Sequence, residues 1–166
     1  QFIISFTTAV NPQITKSYAS GDIDYMNSLI CRSSKLSGYL LLYFAVPIIL
    51  ETHQILKLWL GLIPDYATIF LQLTIANAFF DTIFASGIVT AIMATGNIKR
   101  YELVITTCGF GVFPLTWVLY QIGLPPYFSY IAYGFVYFSL IFIRLYLAKD
   151  LIHLSPWKYV KDVMIP

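Results

Sequence analysis

The chain has 166 residues, of which 58% are hydrophobic and only 11% are charged, and its net charge is +2. Soluble domains carry about 25% charged residues, so this composition excludes an ordinary soluble domain and indicates an integral membrane protein. The small positive charge gives no support to nucleic-acid binding, which depends on clustered cations.

Long apolar segments predict an all-α integral membrane protein with about five transmembrane helices and one interfacial amphipathic helix. We predict one transmembrane bundle over residues 1–154. Residues 155–166 are too polar to span a membrane and form a cytoplasmic-side segment that could lead into a further span. The predicted spans cover residues 2–19, 36–60, 66–98, 103–122 and 126–145, and the predicted interfacial helix covers residues 22–35.

Turn signals separate these segments. Gly21 is suited to end a helix and Asp22 to cap the next one. Glycine and proline predict turns at residues 61–65 and 123–126. Residues 66–98 are too long for a hydrocarbon core of about 30 Å, so that helix must tilt, kink or project.

The basic residues predict the orientation, because Lys and Arg near membrane ends stay in the cytoplasm. Only Lys57 lies at the opposite ends of the predicted spans. We therefore predict that the turns at 61–65 and 123–126 face outward. The other basic residues share the cytoplasmic ends: Lys16, Arg32, Lys35, Lys99, Arg100, Arg144, Lys149, Lys158 and Lys161.

The cysteines and histidines do not predict a metal site or a cofactor. Cys31 and Cys108 lie at different membrane depths, so we expect both to be reduced. His53 and His153 lack metal-ligand spacing. The chain also has no glycine-rich phosphate loop or nucleophile elbow, and we expect no enzymatic activity.

Asp81 is the strongest candidate for a mechanistic residue, because a carboxylate inside a membrane is costly unless it is paired, protonated or facing water. Asn77 and Thr74 continue the same helix face. One interpretation is an interhelical hydrogen bond, or a pair with a basic residue outside this chain. The other is contact with a coupling cation or a substrate.

A second polar group lies toward the outer end of the span over residues 36–60. His53 and Lys57 share a helix face, whereas Glu51 points elsewhere. These side chains either extend to the outer interface or form an outer gate. Downstream, residues 127–146 are rich in aromatic side chains, which either face lipid or form a wall that stacks against sugars.

Two junctions at the predicted cytoplasmic ends carry a family resemblance. Residues 11–22 read NPQITKSYASGD and are followed by Arg32 and Lys35, and residues 94–101 read ATGNIKRY. With Trp59, Leu60 and Gly61 between them, these motifs resemble the polysaccharide-transporter branch of the multidrug and oligosaccharidyl-lipid exporter superfamily, which contains the O-antigen and capsule-unit flippases.

The resemblance implies part of the second of two helix bundles that face each other across a cavity. It also implies a flippase in the bacterial inner membrane that moves polyprenyl-diphosphate-linked oligosaccharide by alternating access, for surface lipopolysaccharide or capsule. The implied partners are that lipid-linked substrate, membrane lipids, a coupling cation and a missing N-terminal half of the same protein. Arg32, Lys35, Lys99 and Arg100 are candidates for the cytoplasmic entrance.

Other functions stay open at this point. A cation-coupled multidrug antiporter of the same superfamily would use an acidic residue such as Asp81. A membrane-embedded glycosyltransferase or acyltransferase would need catalytic groups at a membrane face, and a structural subunit would need none.

Overall fold

The computed structural model describes residues 2–164, including the side chains of residues 8–85 and 87–163. The predicted all-α membrane fold is confirmed, since the described residues form helices and no strand. The helices are α1 (Phe2–Ala19), α2 (Ile23–Leu50), α3 (Thr52–Leu60), α4 (Ala67–Phe84), α5 (Ser86–Ala94), α6 (Ile98–Gly109), α7 (Val112–Gln121), α8 (Phe128–Ile152) and α9 (Pro156–Met164).

Four stretches of the described chain are long and apolar enough to cross a membrane, one fewer than predicted. They are Ile23–Leu50, Ala67–Phe84, Ile98–Gln121 and Phe128–Ile152. The predicted span over residues 2–19 does form a helix, α1. It is not among the four, because polar residues such as Asn11, Gln13 and Lys16 lower its hydropathy.

The prediction of a separate interfacial helix over residues 22–35 is wrong. These residues are the first half of α2, which runs without a break to Leu50. The predicted cap is confirmed, since the Tyr25 N–H donates to Asp22 Oδ1 at 3.1 Å. Met26 and Ile30 are fully buried in the protein core, so the apolar face of this segment packs against other helices.

Three predicted spans are interrupted where the sequence predicted continuous helices. Residues 36–60 are divided at Glu51, whose N–H donates to the carbonyl of Pro47. Residues 66–98 are divided at Ala85 between α4 and α5. Residues 103–122 belong to α6 and α7, which separate at Phe110 and Gly111. Residues 66–98, which were expected to tilt, kink or project, are thus interrupted near their centre.

The predicted turns are confirmed. Gly21, Gly61 and Gly123 all have positive φ angles, of 78°, 73° and 86°. This left-handed conformation strongly favours glycine, because the residue lacks a Cβ. The turn at Gly61 folds α4 against α2 and α3. The turn at Gly123 joins α7 to α8 as a helical hairpin.

Residues beyond 154 add a short helix to one end of the bundle. α9 contacts α2 and α8, and its Tyr159 side chain is completely buried. The Tyr159 hydroxyl donates to the carbonyl oxygen of Ile83, two residues before the division between α4 and α5. α9 thus packs next to the division between α4 and α5.

The buried core lies at the end of the bundle that carries eight of the ten Lys and Arg residues, which we call the basic end. The far end, with the turns after Leu60 and Gln121, is called the opposite end. The core of the basic end draws on α1, α2, α5, α8 and α9, and its fully buried aliphatic side chains are Ile14, Met26, Ile30, Ile88, Ile92 and Ile152.

Candidate functional site

An ion pair joins α4 to α8 inside the apolar part of the bundle. Arg144 Nη1 donates to Asp81 Oδ1 at 2.9 Å. The Arg144 side chain is 8% exposed, whereas that of Asp81 is 52% exposed. The cation is therefore enclosed by protein, and the carboxylate keeps a face open to an adjoining groove.

This pair corrects two interpretations of the sequence. The basic partner of Asp81 lies in this chain and not outside it. Arg144 is not an anchor at a membrane end, since it lies eight residues before the end of α8, or about 12 Å along the helix axis. The signal was present in the sequence, because Arg144 is the first charged residue after Glu102.

A third helix contributes to the same cluster. Tyr101 on α6 is only 3% exposed, and its hydroxyl forms a side-chain hydrogen bond with Arg144. Arg144 Nε has no hydrogen-bond partner among the described residues. Buried guanidinium groups use several donors at once, so this cluster retains capacity for one further acceptor.

The predicted polar face of α4 is confirmed as a lining of one groove. Thr74, Asn77 and Asp81 all border a groove of about 460 Å³ between α4, α7 and α8. The Asn77 side chain donates to the Tyr130 carbonyl at 3.1 Å, and the Thr74 hydroxyl donates to the Phe70 carbonyl at 2.7 Å. Because both donors are hydrogen-bonded to backbone carbonyls, these side chains line the groove without the free-energy cost of an unpaired donor.

Close packing between α4 and α8 depends on Gly134, which the sequence analysis did not identify. A Cβ at this position would lie 2.5 Å from Asn77 Oδ1. No heavy atoms approach so closely without a hydrogen bond, so a larger residue would push Asn77 or separate the helices. Gly134 therefore fixes the position of Asn77 at the groove.

Aromatic rings of α8 form part of the groove wall. Tyr130 and Tyr133 line it, and the rings of Tyr133 and Tyr137 stack with their centroids 4.0 Å apart. Phe135, by contrast, is 67% exposed on another side of the helix. The sequence could not assign these side chains to a face, and the structure divides them between the groove and the outer surface.

The four basic candidates for a cytoplasmic entrance do not form one site. Arg32 and Lys35 border a second cavity of about 760 Å³ between α2 and α9. Lys99 and Arg100 lie in the first turn of α6, where both are exposed, and they do not line that cavity. The structure thus separates the two junctions whose motifs resemble the exporter superfamily.

The outer-gate candidates surround the division between α2 and α3. Glu51, His53 and Lys57 are all exposed, and none forms a salt bridge with another described residue. A part-buried polar contact at this point is made by Gln72, whose amide donates to the Ile49 carbonyl at 3.1 Å. A gating role for the three charged or titratable residues stays a prediction.

Cys31 and Cys108 are both free, and no cluster of metal-ligating side chains occurs within residues 8–85 and 87–163. The chain matches no family model, no curated protein and no solved structure. The arrangement of charge, hydroxyl groups and aromatic rings in the groove is therefore the basis for assigning a function.

Proposed function

We propose that this protein is a membrane transporter that moves polyprenyl-diphosphate-linked oligosaccharide across the bacterial inner membrane for surface polysaccharide synthesis. The observation that carries the proposal is the groove between α4, α7 and α8, because it combines an enclosed Arg144, a half-exposed Asp81 carboxylate and tyrosine rings. The groove is built by helices that are apolar enough to span a membrane.

The groove would lower the main free-energy cost of moving a sugar through hydrocarbon. Hydroxyl groups that enter the bilayer without hydrogen-bond partners cost several kcal/mol each. Thr74, Asn77 and Ser129 supply polar atoms along the groove, and Tyr130 and Tyr133 supply rings on which a sugar can stack. The lipid tail would remain in the bilayer while the headgroup follows this polar path.

Arg144 supplies a deep cation for the diphosphate. A planar guanidinium suits phosphate oxygens in two-point contact, and Arg144 Nε is without a partner among the described residues. In the proposed cycle, the diphosphate competes with Asp81 for Arg144. Asp81 then takes up a proton or a cation, which links substrate binding to an ion gradient.

A cation-coupled multidrug antiporter of the same superfamily is the second candidate. The observation that favours it is the 52% exposure of the Asp81 side chain, because an accessible carboxylate inside a membrane is suited to binding a proton or a cationic compound. In that case Arg144 would be the intramolecular competitor for Asp81, and no diphosphate would be involved.

A membrane-embedded glycosyltransferase or acyltransferase is the less favoured candidate. Such an enzyme needs an acid, a base or a nucleophile positioned on the substrate. Among the residues that line the described groove, Asp81 is the one carboxylate, and there is no histidine or cysteine.

The test uses cells that lack the gene and carry wild type, Asp81→Asn, Arg144→Gln or the double variant at matched abundance. We expect deletion to abolish surface glycan and to accumulate the lipid-linked unit on the inner leaflet, with rescue by wild type. The double variant has no unpaired charge and should fold, yet it should fail to rescue. Lys149→Gln, an exposed substitution on the same helix, should rescue fully.

Unchanged surface glycan after deletion would overturn the flippase proposal and place the antiporter first. Sensitivity of the deletion strain to cationic drugs, restored by wild type but not by Asp81→Asn, would then identify that function. Full rescue of surface glycan by the double variant would show that transport does not require the ion pair, and it would overturn the proposed role of Asp81 and Arg144.

A further inference from the structure

A second polar cavity lies at the basic end, far along the chain from the groove residues. It has a volume of about 760 Å³ and is enclosed by α2 on one side and by α9 with the preceding loop on the other. Its α2 wall is a single helix face, because lining residues recur at intervals of three and four from Asp24 to Lys35. The proposed transport path does not use this cavity.

Charges of both signs border this cavity. The cations are Arg32 and Lys35 from α2 and Lys158 from α9, and the carboxylates are Asp24 and Asp162. Neither Arg32 nor Lys158 forms a salt bridge with a residue that the structure describes. Charged groups that share a cavity without pairing are available for a ligand that carries complementary charges.

The position of these charges indicates a dipolar ligand. Lys158 and Asp162 are one helical turn apart on α9, and both act electrostatically on Cys31, which precedes Arg32 on the facing helix. A cation and a carboxylate of α9 thus line the cavity one helical turn apart, and Arg32 and Lys35 line it from α2. A ligand that carries both charges could use the carboxylates of Asp24 and Asp162 as well as the three cations.

One polar atom without a partner among the described residues belongs to the same wall. The Asn27 side-chain oxygen is buried and accepts no hydrogen bond from the described residues, and Asn27 lines the cavity. A primary amine can donate to this oxygen and to a neighbouring carboxylate at once, because an ammonium group has three donors.

We propose that this cavity binds a phosphate ester that also carries a primary amine, the chemistry of a phosphoethanolamine headgroup. The phosphate contacts Arg32, Lys35 and Lys158, and the ammonium group contacts Asp162 and Asn27. The cavity lies at the basic end of the bundle, and phospholipid headgroups surround the ends of membrane-spanning helices. The proposal is independent of the transported substrate.

The test measures which lipids remain bound to the intact purified protein, by native mass spectrometry after transfer from vesicles. The vesicles contain equal amounts of phosphatidylethanolamine, phosphatidylcholine and phosphatidylglycerol. We expect phosphatidylethanolamine to be retained about fivefold over each of the others, since the loss of one polar contact to the headgroup corresponds to about that factor. Phosphatidylcholine has no amine hydrogen to donate, and phosphatidylglycerol has no ammonium group.

Variants separate the two halves of the headgroup. Asp162→Asn should remove the preference for phosphatidylethanolamine over phosphatidylcholine while total phospholipid retention persists. Arg32→Gln should reduce retention of all three lipids about fivefold. Lys161→Gln is the matched control, because it removes a charge from an exposed position of α9 that does not line the cavity, and it should change nothing.

Soluble phosphoethanolamine distinguishes a lipid from a free ligand. Binding of phosphoethanolamine that depends on Arg32 and Asp162, without retained lipid, would assign the site to a soluble phosphate ester. Equal retention of all three lipids, or an equal loss in Lys161→Gln and Arg32→Gln, would overturn the proposal. A melting temperature close to wild type in each variant confirms that the fold is intact.

Discussion

The two ends of the bundle are built in different ways. At the basic end, helices from across the chain enclose fully buried side chains such as Met26, Ile88 and Tyr159. At the opposite end, α7 has no buried residue among those described, and Leu58 and Leu62 are 92% and 90% exposed. One end is packed as a protein interior, and the other presents apolar side chains outward.

This difference follows from the surroundings of a membrane protein. Lipid tails are as apolar as leucine, so helices gain little from hiding such side chains from them. Dense packing of side chains between helices is needed only where the chain must hold a defined shape. The groove with Asp81 and Arg144 lies between these two regions.

The largest expected effect comes from the same substitution at the two ends. Leu147 is 3% exposed in the core of the basic end, and Leu58 is 92% exposed. Leu147→Ala should lower the free energy of unfolding by about 3 kcal/mol, because it leaves a cavity. Leu58→Ala should change it by less than about 0.5 kcal/mol. Reversible unfolding in mixed micelles measures both, and equal effects would contradict the difference in packing.

The ion pair should show the next largest effect. Arg144→Gln leaves Asp81 without its partner, and we expect the free energy of unfolding to fall by about 2 kcal/mol. This is less than for a fully buried ion pair, because Asp81 is half exposed. Asp81→Asn/Arg144→Gln removes both charges and should recover about half of this loss. A double-mutant cycle by the same unfolding measurement gives the coupling. Additive effects would show that the two residues do not interact.

Tyr159 tests how α9 is held to the core. Its hydroxyl donates to the carbonyl of Ile83 in a fully buried position. Tyr159→Phe should therefore lower the free energy of unfolding by about 1 to 2 kcal/mol, since it leaves that carbonyl unpaired. Tyr146→Phe, at a position that is 61% exposed, is the control and should be neutral. A neutral Tyr159→Phe would mean that the hydroxyl contributes nothing to the packed end.

The same tyrosine predicts a pH dependence. Burial raises the pKa of Tyr159 above its ordinary value of 10.0. Because the folded pKa is raised, its contribution to stability is fully present below pH 10 and is lost as the pH rises above it. The difference in stability between wild type and Tyr159→Phe should be constant from pH 6 to 9 and shrink above about pH 10.

The smallest expected effect is at the start of α2. Asp22 accepts the N–H of Tyr25 and caps the helix, so Asp22→Ala should cost about 1 kcal/mol. Asp24→Ala in the first turn removes a carboxylate that makes no cap and should cost only a few tenths of a kcal/mol. A comparison of the two melting temperatures tests the cap, and equal shifts would argue against it.

Local chemistry explains what the sequence could predict. Gly21, Gly61 and Gly123 marked chain reversals because their conformation strongly favours glycine. Asp22 marked a helix start, and the spacing of Thr74, Asn77 and Asp81 placed them on one face. Each of these features depends on residues within a few positions of each other.

The features that the sequence did not predict depend on distant contacts. Arg144 became a buried partner of Asp81 only through the packing of α8 on α4. Residues 22–35 form the first half of a long helix, because Met26 and Ile30 are buried in the core of the bundle. The helix divides at Ala85 although that residue is neither proline nor glycine. Tyr159 donates to the carbonyl of Ile83, which is distant in sequence.

The central claim is that the groove between α4, α7 and α8 is a water-accessible path. The most direct measurement is the reaction of single cysteines with a membrane-impermeant thiol reagent in intact cells, in a Cys31→Ser/Cys108→Ser background. Thr74→Cys lines the groove, whereas Phe135→Cys is exposed on another side of α8. We predict that residue 74 reacts and residue 135 does not. Protection of residue 74 together with reaction at residue 135 would contradict the account.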